Sequence, residues 1–189
     1  WTDTSVVEGT TYHYAVESHF AGESKITASK TITARMIPTV IGEYFFGGYY
    51  VGNITTPDGT YAVMFADEEA DVLRQWKTAN TLTPGTFSDA DGWANTQLMT
   101  ADSTLLATHP AAAYCRAYDG AGFDDWYLPS RQEMLLPWTN RAVLAELNMG
   151  KNNTYVWSST QHPSSTSGAW NRRFSDGNES NNSKATSYR

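Results

Sequence analysis

Asp124-Asp125-Trp126-Tyr127-Leu128-Pro129-Ser130-Arg131-Gln132-Glu133, followed at a distance by Tyr155-Val156-Trp157-Ser158-Ser159-Thr160, is the stretch on which the fold turns. Ser130 and Glu133 stand three residues apart, the spacing of a capping box in which hydroxyl and carboxylate each satisfy a free backbone N–H. A helix therefore starts there, limited or kinked by Pro137, with a further helical stretch from Arg141 to Leu147. Asp124 and Asp125 supply a turn and cap ahead of a strand at Trp126. Tyr155 to Ser159 reads as a strand, and Ala169 to Ser175 as its successor. The Asp176-Gly177 pair then turns the chain into a last strand toward Tyr188. Upstream, Pro110 sits near the first position of another helix running to about Tyr118, with Gly120 as the residue that ends it. Helices set among antiparallel strands make an α+β domain.

Further toward the N-terminus, Gly42 to Gly52 is a glycine-punctuated aromatic strand, and Thr60 to Ala66 pairs with it across a Pro57-Asp58-Gly59 turn. Leu73 to Gly92 lacks a sustained period and reads as an ordered loop region. Pro38 fixes its own φ and biases Ile37 toward extended geometry, so a domain boundary is expected there. Before it, Thr10 to Phe20 alternates, with Tyr12, Tyr14 and Val16 on one face, and Lys25 to Ala34 closes a hairpin across Ala21-Gly22-Glu23-Ser24. The domains expected are residues 1–37, all-β, and residues 38–189.

The 189 residues are 40% hydrophobic and carry a formal net charge of -7, enough apolar content for one good core and no basic run for nucleic acid or an anionic membrane. No apolar stretch approaches the roughly 18 to 20 residues that span a bilayer, so membrane insertion is not expected. The single cysteine, Cys115, excludes an intrachain disulfide and any Cys-pair metal site, and it reads as a small buried hydrophobe. His13, His19, His109 and His162 are scattered outside any metal-ligand spacing, so no metal and no cofactor are expected.

The segment Asp124 to Glu133 with its Trp-Tyr-Leu-Pro-Ser core, then Val156-Trp157-Ser158-Ser159-Thr160, Ala169-Trp170 and Phe174-Ser175-Asp176-Gly177, resembles a C-type-lectin-like module. Such modules occur in phage tail fibres and in bacterial collagen-like surface adhesins. Phe46-Gly47-Gly48-Tyr49-Tyr50, Trp76-Lys77-Thr78, Thr83-Pro84-Gly85-Thr86, Asn95-Thr96 and His109-Pro110-Ala111-Ala112 are similar to the phage branch, so the resemblance covers roughly residues 42 to 189. It implies a twisted antiparallel sheet with two helices, whose last strands carry the ligand face. Glu8-Gly9-Thr10-Thr11-Tyr12 ahead of an alternating strand resembles the last strands of a fibronectin type III domain, with Tyr12 at the tyrosine-corner position and the remaining strands expected upstream. The chain departs from sugar-binding C-type lectins: it has no Glu-Pro-Asn or Gln-Pro-Asp triplet, and one cysteine cannot form the usual disulfides. It also lacks the paired thiol that a sulfatase-activating oxidase on this fold needs.

The resemblance implies a non-enzymatic, receptor-binding part of a virion tail, engaging a host cell-surface glycan or protein, joined to other tail proteins and trimeric. A bacterial surface adhesin and a structural or decorating tail component are the alternatives. Trp126, Leu128, Trp157 and Phe174 read as core. Ser158 and Ser159 bond backbone in a tight turn, with no base to make either a nucleophile. The polar C-terminal stretch supplies the candidate ligand-binding residues: Thr160, Gln161, His162, Trp170, Asn171, Arg173, Asn178, Glu179, Asn181, Asn182 and Lys184. Trp and Arg would anchor while Asn and Ser adapt, as in antibody loops. In some relatives a diversity-generating retroelement rewrites adenines in these strands, and Asn171, Asn178, Asn181 and Asn182 fit such a region. A depolymerase would instead need Glu179 or Asp176 paired with a second acid across a groove.

Overall fold

The computed structural model describes residues 11–20, 23–33, 38–45, 47–56, 59–66, 72–144 and 155–188. The turn residues Ala21, Gly22, Pro57 and Asp58, the junction residue Ile37, the facing of Tyr14 and Val16, and the Leu147 end of the expected helical stretch lie outside them. Two compact units divide the chain, Trp1–Ile37 and Pro38–Arg189.

In the first unit the described residues are β1 (Thr11–Phe20) and β2 (Glu23–Thr33), paired antiparallel with an irregularity between Val16 and Glu17. The second unit mixes helices with antiparallel sheets, an α+β arrangement. One sheet has the order β3 (Tyr44–Phe45), β4 (Gly48–Thr56), β5 (Gly59–Ala66). Its ladder shifts register between Tyr50 and Gly52, where Gly52 takes φ +129°, open to glycine at little steric cost. A second sheet has the order β7 (Tyr155–Gln161), β8 (Gly168–Arg173), β9 (Glu179–Ser183). A two-strand ladder joins β6 (Arg74–Gln75) to β10 (Ser187–Tyr188), so the end of the described chain is tied back across more than a hundred residues.

Among the described residues four α-helices form, where the resemblance implied two. α1 (Gly92–Met99) and α2 (Ser103–Thr108) begin at Asp91 and Asp102, whose carboxylates accept from Ala94 N at 2.7 Å and Leu105 N at 2.8 Å. Each cap satisfies a donor the first turn leaves open, which lets very short helices form without a strong apolar stripe. α3 (Pro110–Ala117) has Pro110 in its first turn as expected, but Tyr118 ends it in extended backbone, and Gly120 opens a 3-10 turn instead. The capping box is reciprocal: Ser130 N donates to Glu133 Oε2 at 2.6 Å and Glu133 N to Ser130 Oγ at 3.3 Å. It closes a turn that leads into α4 (Leu135–Thr139), where Pro137 lies in the first turn and so removes no intrahelical donor. Residues 124–129 form no strand, and Trp126 is only half buried, because this segment runs as irregular backbone between the 3-10 turn and the capping box.

Trp76, Met99, Ala111, Ala112, Leu128, Trp157 and Ala169 make the main core, with Cys115 and Tyr188 packed against it. The two buried indoles keep their N–H groups satisfied, Trp76 Nε1 by Ser158 O at 2.8 Å and Trp157 Nε1 by Arg74 O at 3.1 Å. Those bonds lock β6 to β7, so burying each ring leaves no orphan donor. Cys115 is half-buried, and burial pushes its thiol up to about 12. Val51, Val63 and Leu144 form a smaller cluster beneath the β3–β5 sheet. Among the described residues no helix is long and apolar enough to cross a membrane.

Candidate functional site

The register of β8 with β9 decides which polar side chains can act together. Gly168, Trp170 and Arg172 stand opposite Ser183, Asn181 and Glu179, while Ala169 and Asn171 stand opposite Asn182 and Ser180. Directly paired residues share a face and successive ones alternate. Trp157 pairs with Asn171 and is fully buried, so the Ala169–Asn171 row faces the core and the Trp170 row faces outward.

On the outer face, Arg131 comes from the capping-box turn to lie with its Cζ 4.1 Å from the Trp170 ring centroid. Its Nε and Nη2 donate to the two oxygens of Glu179, each at 2.8 Å, and its Nη1 lies 3.6 Å from Asp89 Oδ2. Arg172 donates to the same Glu179 at 3.1 Å and to the Gly177 carbonyl at 3.1 Å. The Glu179 bond, then its charge and that of Asp89, make the Arg131 guanidinium more basic than usual, against the pull of burial. Burial and the charge of Arg131 make Arg172 less so, with Glu179 opposing. His162 completes the group, its ring 4.8 Å from that of Trp170. Ser164 N donates to His162 Nδ1 at 3.2 Å, which places the ring proton on Nε2 in the neutral form. Asn181 is exposed, and its side chain lies against Gly168, where an added Cβ would meet Asn181 Cγ at 3.0 Å. Thr160 positions Arg131, accepting from its backbone N at 3.0 Å while donating to Ser88 O at 2.8 Å.

His162, Trp170, Glu179 and Asn181 are thus gathered at one place, and seven other candidates lie elsewhere. Thr160, Gln161, Asn171 and Lys184 are buried rather than exposed at the surface. Lys184 is the sharpest correction: its ammonium donates to Thr81 O at 2.9 Å, to Thr166 O at 2.8 Å and to Gln161 Oε1, and lies 4.7 Å from the Trp76 ring centroid. Three acceptors and an aromatic face replace the water a buried charge loses. Asn171 accepts from Asn182 Nδ2 at 3.2 Å on the core face, which holds Asn182 away from the outer one. Arg173 shares the core-side row with Tyr155, lies over that ring at 5.3 Å, and is clamped to Asp176 at the β8–β9 turn. That pairing, and the N–H of Asn178, hold the Asp176 carboxyl down at about 2. Asn178 is exposed in the turn and accepts from the Tyr155 hydroxyl at 3.0 Å. The four asparagines therefore divide between two faces and a turn.

The interior beside Lys184 is basic. Lys77 Nζ donates to Leu82 O at 2.9 Å and to Thr83 Oγ1 at 3.0 Å, and Thr83 Oγ1 lies 2.9 Å from His109 Nε2. His109 Nδ1 is 2.8 Å from Leu105 O, so Nδ1 carries the proton and Nε2 accepts from Thr83. Burial, reinforced by both lysines and opposed by the Leu105 carbonyl, lowers His109 below its ordinary range. Burial, and then Lys77, push Lys184 down to about 7.

Ser158 and Ser159 lie in β7 rather than in a tight turn. Ser158 Oγ donates to Trp170 O at 2.9 Å, and Ser159 Oγ accepts from Asn95 Nδ2 at 3.1 Å. Glu179 and Asp176, the carboxylates a depolymerase would use, are both engaged by guanidinium groups. Among the described residues no group of three or more His, Cys, Asp or Glu could hold a metal ion. Arg131, central to the outer face, escaped the sequence reading because it lies 48 residues from Glu179, inside a motif read only for its helix cap. Comparison of the chain with protein-family models, with curated proteins and with solved structures finds no match.

Proposed function

We propose that this chain is a receptor-binding part of a phage tail fibre, attaching the particle to a host cell surface through the outer face of β8 and β9. The observation that carries the reading is the Trp170–Arg131–Glu179–Asn181 group: an aromatic ring, a guanidinium, a carboxylate and an amide on the surface of a sheet whose other face is packed. Aromatic and Arg anchors on a rigid support, ringed by short polar groups, suit recognition of polar epitopes. The Trp-Tyr-Leu-Pro-Ser and Trp-Ser-Ser motifs support a C-type-lectin-like fold for residues 38–189. The β1–β2 hairpin fits the end of a fibronectin-type stalk. Catalysis has no support from the site, since Glu179 and Asp176 are held in ion pairs and Ser158 and Ser159 in hydrogen bonds to Trp170 O and the Asn95 amide. Display in a trimer or on several fibres would raise avidity without new contacts.

The test is adsorption of the labelled chain to a panel of bacterial cells, comparing wild type with Trp170→Ala plus Arg131→Ala and with Arg173→Ala. Attachment should vanish in the double variant and persist in Arg173→Ala, whose side chain lies on the other face. Equal adsorption by all three, with folding intact by circular dichroism, would favour a structural or decorating role in the tail.

A further inference from the structure

Two guanidinium forks meet one carboxylate on the outer face, and the acceptors fall short. An arginine presents Nε and Nη2 along one edge, matched by the two oxygens of a single carboxylate. Glu179 gives both oxygens to that edge of Arg131. Arg172 receives only Oε1 on Nη2 and spends Nη1 on the Gly177 carbonyl. Its Nε is buried and has no hydrogen-bond partner among the described residues, in a side chain whose residue is 7% exposed. A buried donor on a charged group is rarely left so. Asp89 does not supply the missing acceptor: it lies 3.6 Å from Arg131 Nη1, and Arg172 Nε remains without a partner among the described residues.

The shortage would be repaired by one more carboxylate. Arg131 is the more accessible of the two, its side chain 34% exposed against 9% for Arg172. An incoming acid group can therefore take the Nε–Nη2 edge of Arg131, while Glu179 turns fully onto the same edge of Arg172 and satisfies the orphan Nε. Building on the attachment reading above, we propose that this face binds a saccharide bearing a carboxylate, with Glu179 as the internal stand-in for the ligand's acid group. Trp170 is partly exposed, and the part of its ring that Arg131 and His162 leave open offers aromatic surface for the C–H face of a sugar ring beside that acid. Asn181, paired with Trp170 across the ladder and exposed, offers an amide to ring hydroxyls. An acidic peptide side chain would bring the carboxylate without an array of hydroxyls for the amide to read.

The experiment follows the Trp170 indole N–H resonance of the whole chain, assigned with Trp170→Phe, during titration with glucuronate, with glucose and with a glutamate-rich peptide. Glucuronate should shift it saturably, and glucose should bind at least about tenfold more weakly, as expected when a charge-assisted fork is lost. Arg131→Lys, which keeps charge but not the fork, should weaken glucuronate by a similar factor. Glu179→Gln, which removes the internal competitor, should tighten it several-fold. Equal response to glucose and glucuronate, response to the peptide alone, or weaker glucuronate binding by Glu179→Gln would each overturn the inference. Adsorption separates this failure from that of the attachment reading. If cells are labelled through Trp170 and Arg131 yet free glucuronate does not compete, the acidic-sugar ligand falls and attachment stands. If neither cells nor glucuronate bind the folded chain, both fall.

Discussion

Lys184 carries an ammonium into the interior on three oxygen acceptors, with Lys77 beside it, and its protonation should be visible in stability. Its pKa falls from 10.5 to about 7 on folding, with burial as the first cause. Between those values the unfolded chain holds a proton that the folded chain has released, so unfolding becomes harder as pH rises through that window. The unfolding free energy of wild type minus that of Lys184→Met should therefore increase from pH 7 to pH 10, by roughly 2 to 4 kcal/mol. Urea titrations at pH 7, 8.5 and 10 measure it, and a flat difference would mean that the lysine keeps its proton throughout. Retention has a physical basis to compete with, since a neutral amine has two N–H groups for three acceptors. Trp157 is fully buried at the centre of the main core, and Trp157→Ala should cost about 3 to 5 kcal/mol in the same titrations. That Trp157 belongs to the core follows from its size, since large aromatics at motif positions usually pack. That Lys184 does too could not be read, because a lysine among Ser, Asn and Thr looks solvated until the Thr81 and Thr166 carbonyls close around it.

At the scale of elements, the capping box and α1 meet at Gly92. A Cβ added there would stand 2.5 Å from Ser130 N and 2.8 Å from Leu128 O, against backbone that cannot move aside, and would also collide with the Glu133 carboxylate. Gly92→Ala should therefore destabilise by about 1 to 3 kcal/mol through overpacking, more than the roughly 1 kcal/mol expected for removing one cap hydroxyl in Ser130→Ala. Thermal unfolding of the two variants side by side measures the order, and a milder Gly92→Ala would show that α1 can shift off the turn. The Ser130–Glu133 box was legible because reciprocal capping is local chemistry. The caps at Asp91 and Asp102 were equally local, but each opens a helix of eight residues or fewer with no apolar stripe, so the period that would have flagged it was missing. The β8–β9 ladder was legible as two strands and a turn. Its two-residue alternation then divided one polar stretch between two faces, which a list of polar residues does not reveal.

For the whole molecule, a net charge of -7 sets the long-range field that an anionic surface meets. If the outer face takes acidic sugars, approach is repelled at a distance and captured only at the Arg131 fork. Raising salt from about 10 to 150 mM shortens the screening length from about 30 to 8 Å, so association with a glucuronate-bearing surface should speed up while dissociation also quickens. Surface plasmon resonance at the two salt levels reads both rates, and slower association at high salt would point to a locally positive approach path instead. By itself the sequence determined the α+β class, two successive strands read at residues 155–159 and 169–175 and found at Tyr155–Gln161 and Gly168–Arg173, the helix opened by Pro110, the capping box, and Leu128, Trp157 and Phe174 as core, since period, cap chemistry and side-chain size act over a few neighbours. Only the tertiary structure decided which polar side chains share a surface. Ladder register, the approach of Arg131 across 48 residues, and the carbonyl cage around Lys184 depend on segments that meet only when the chain has folded.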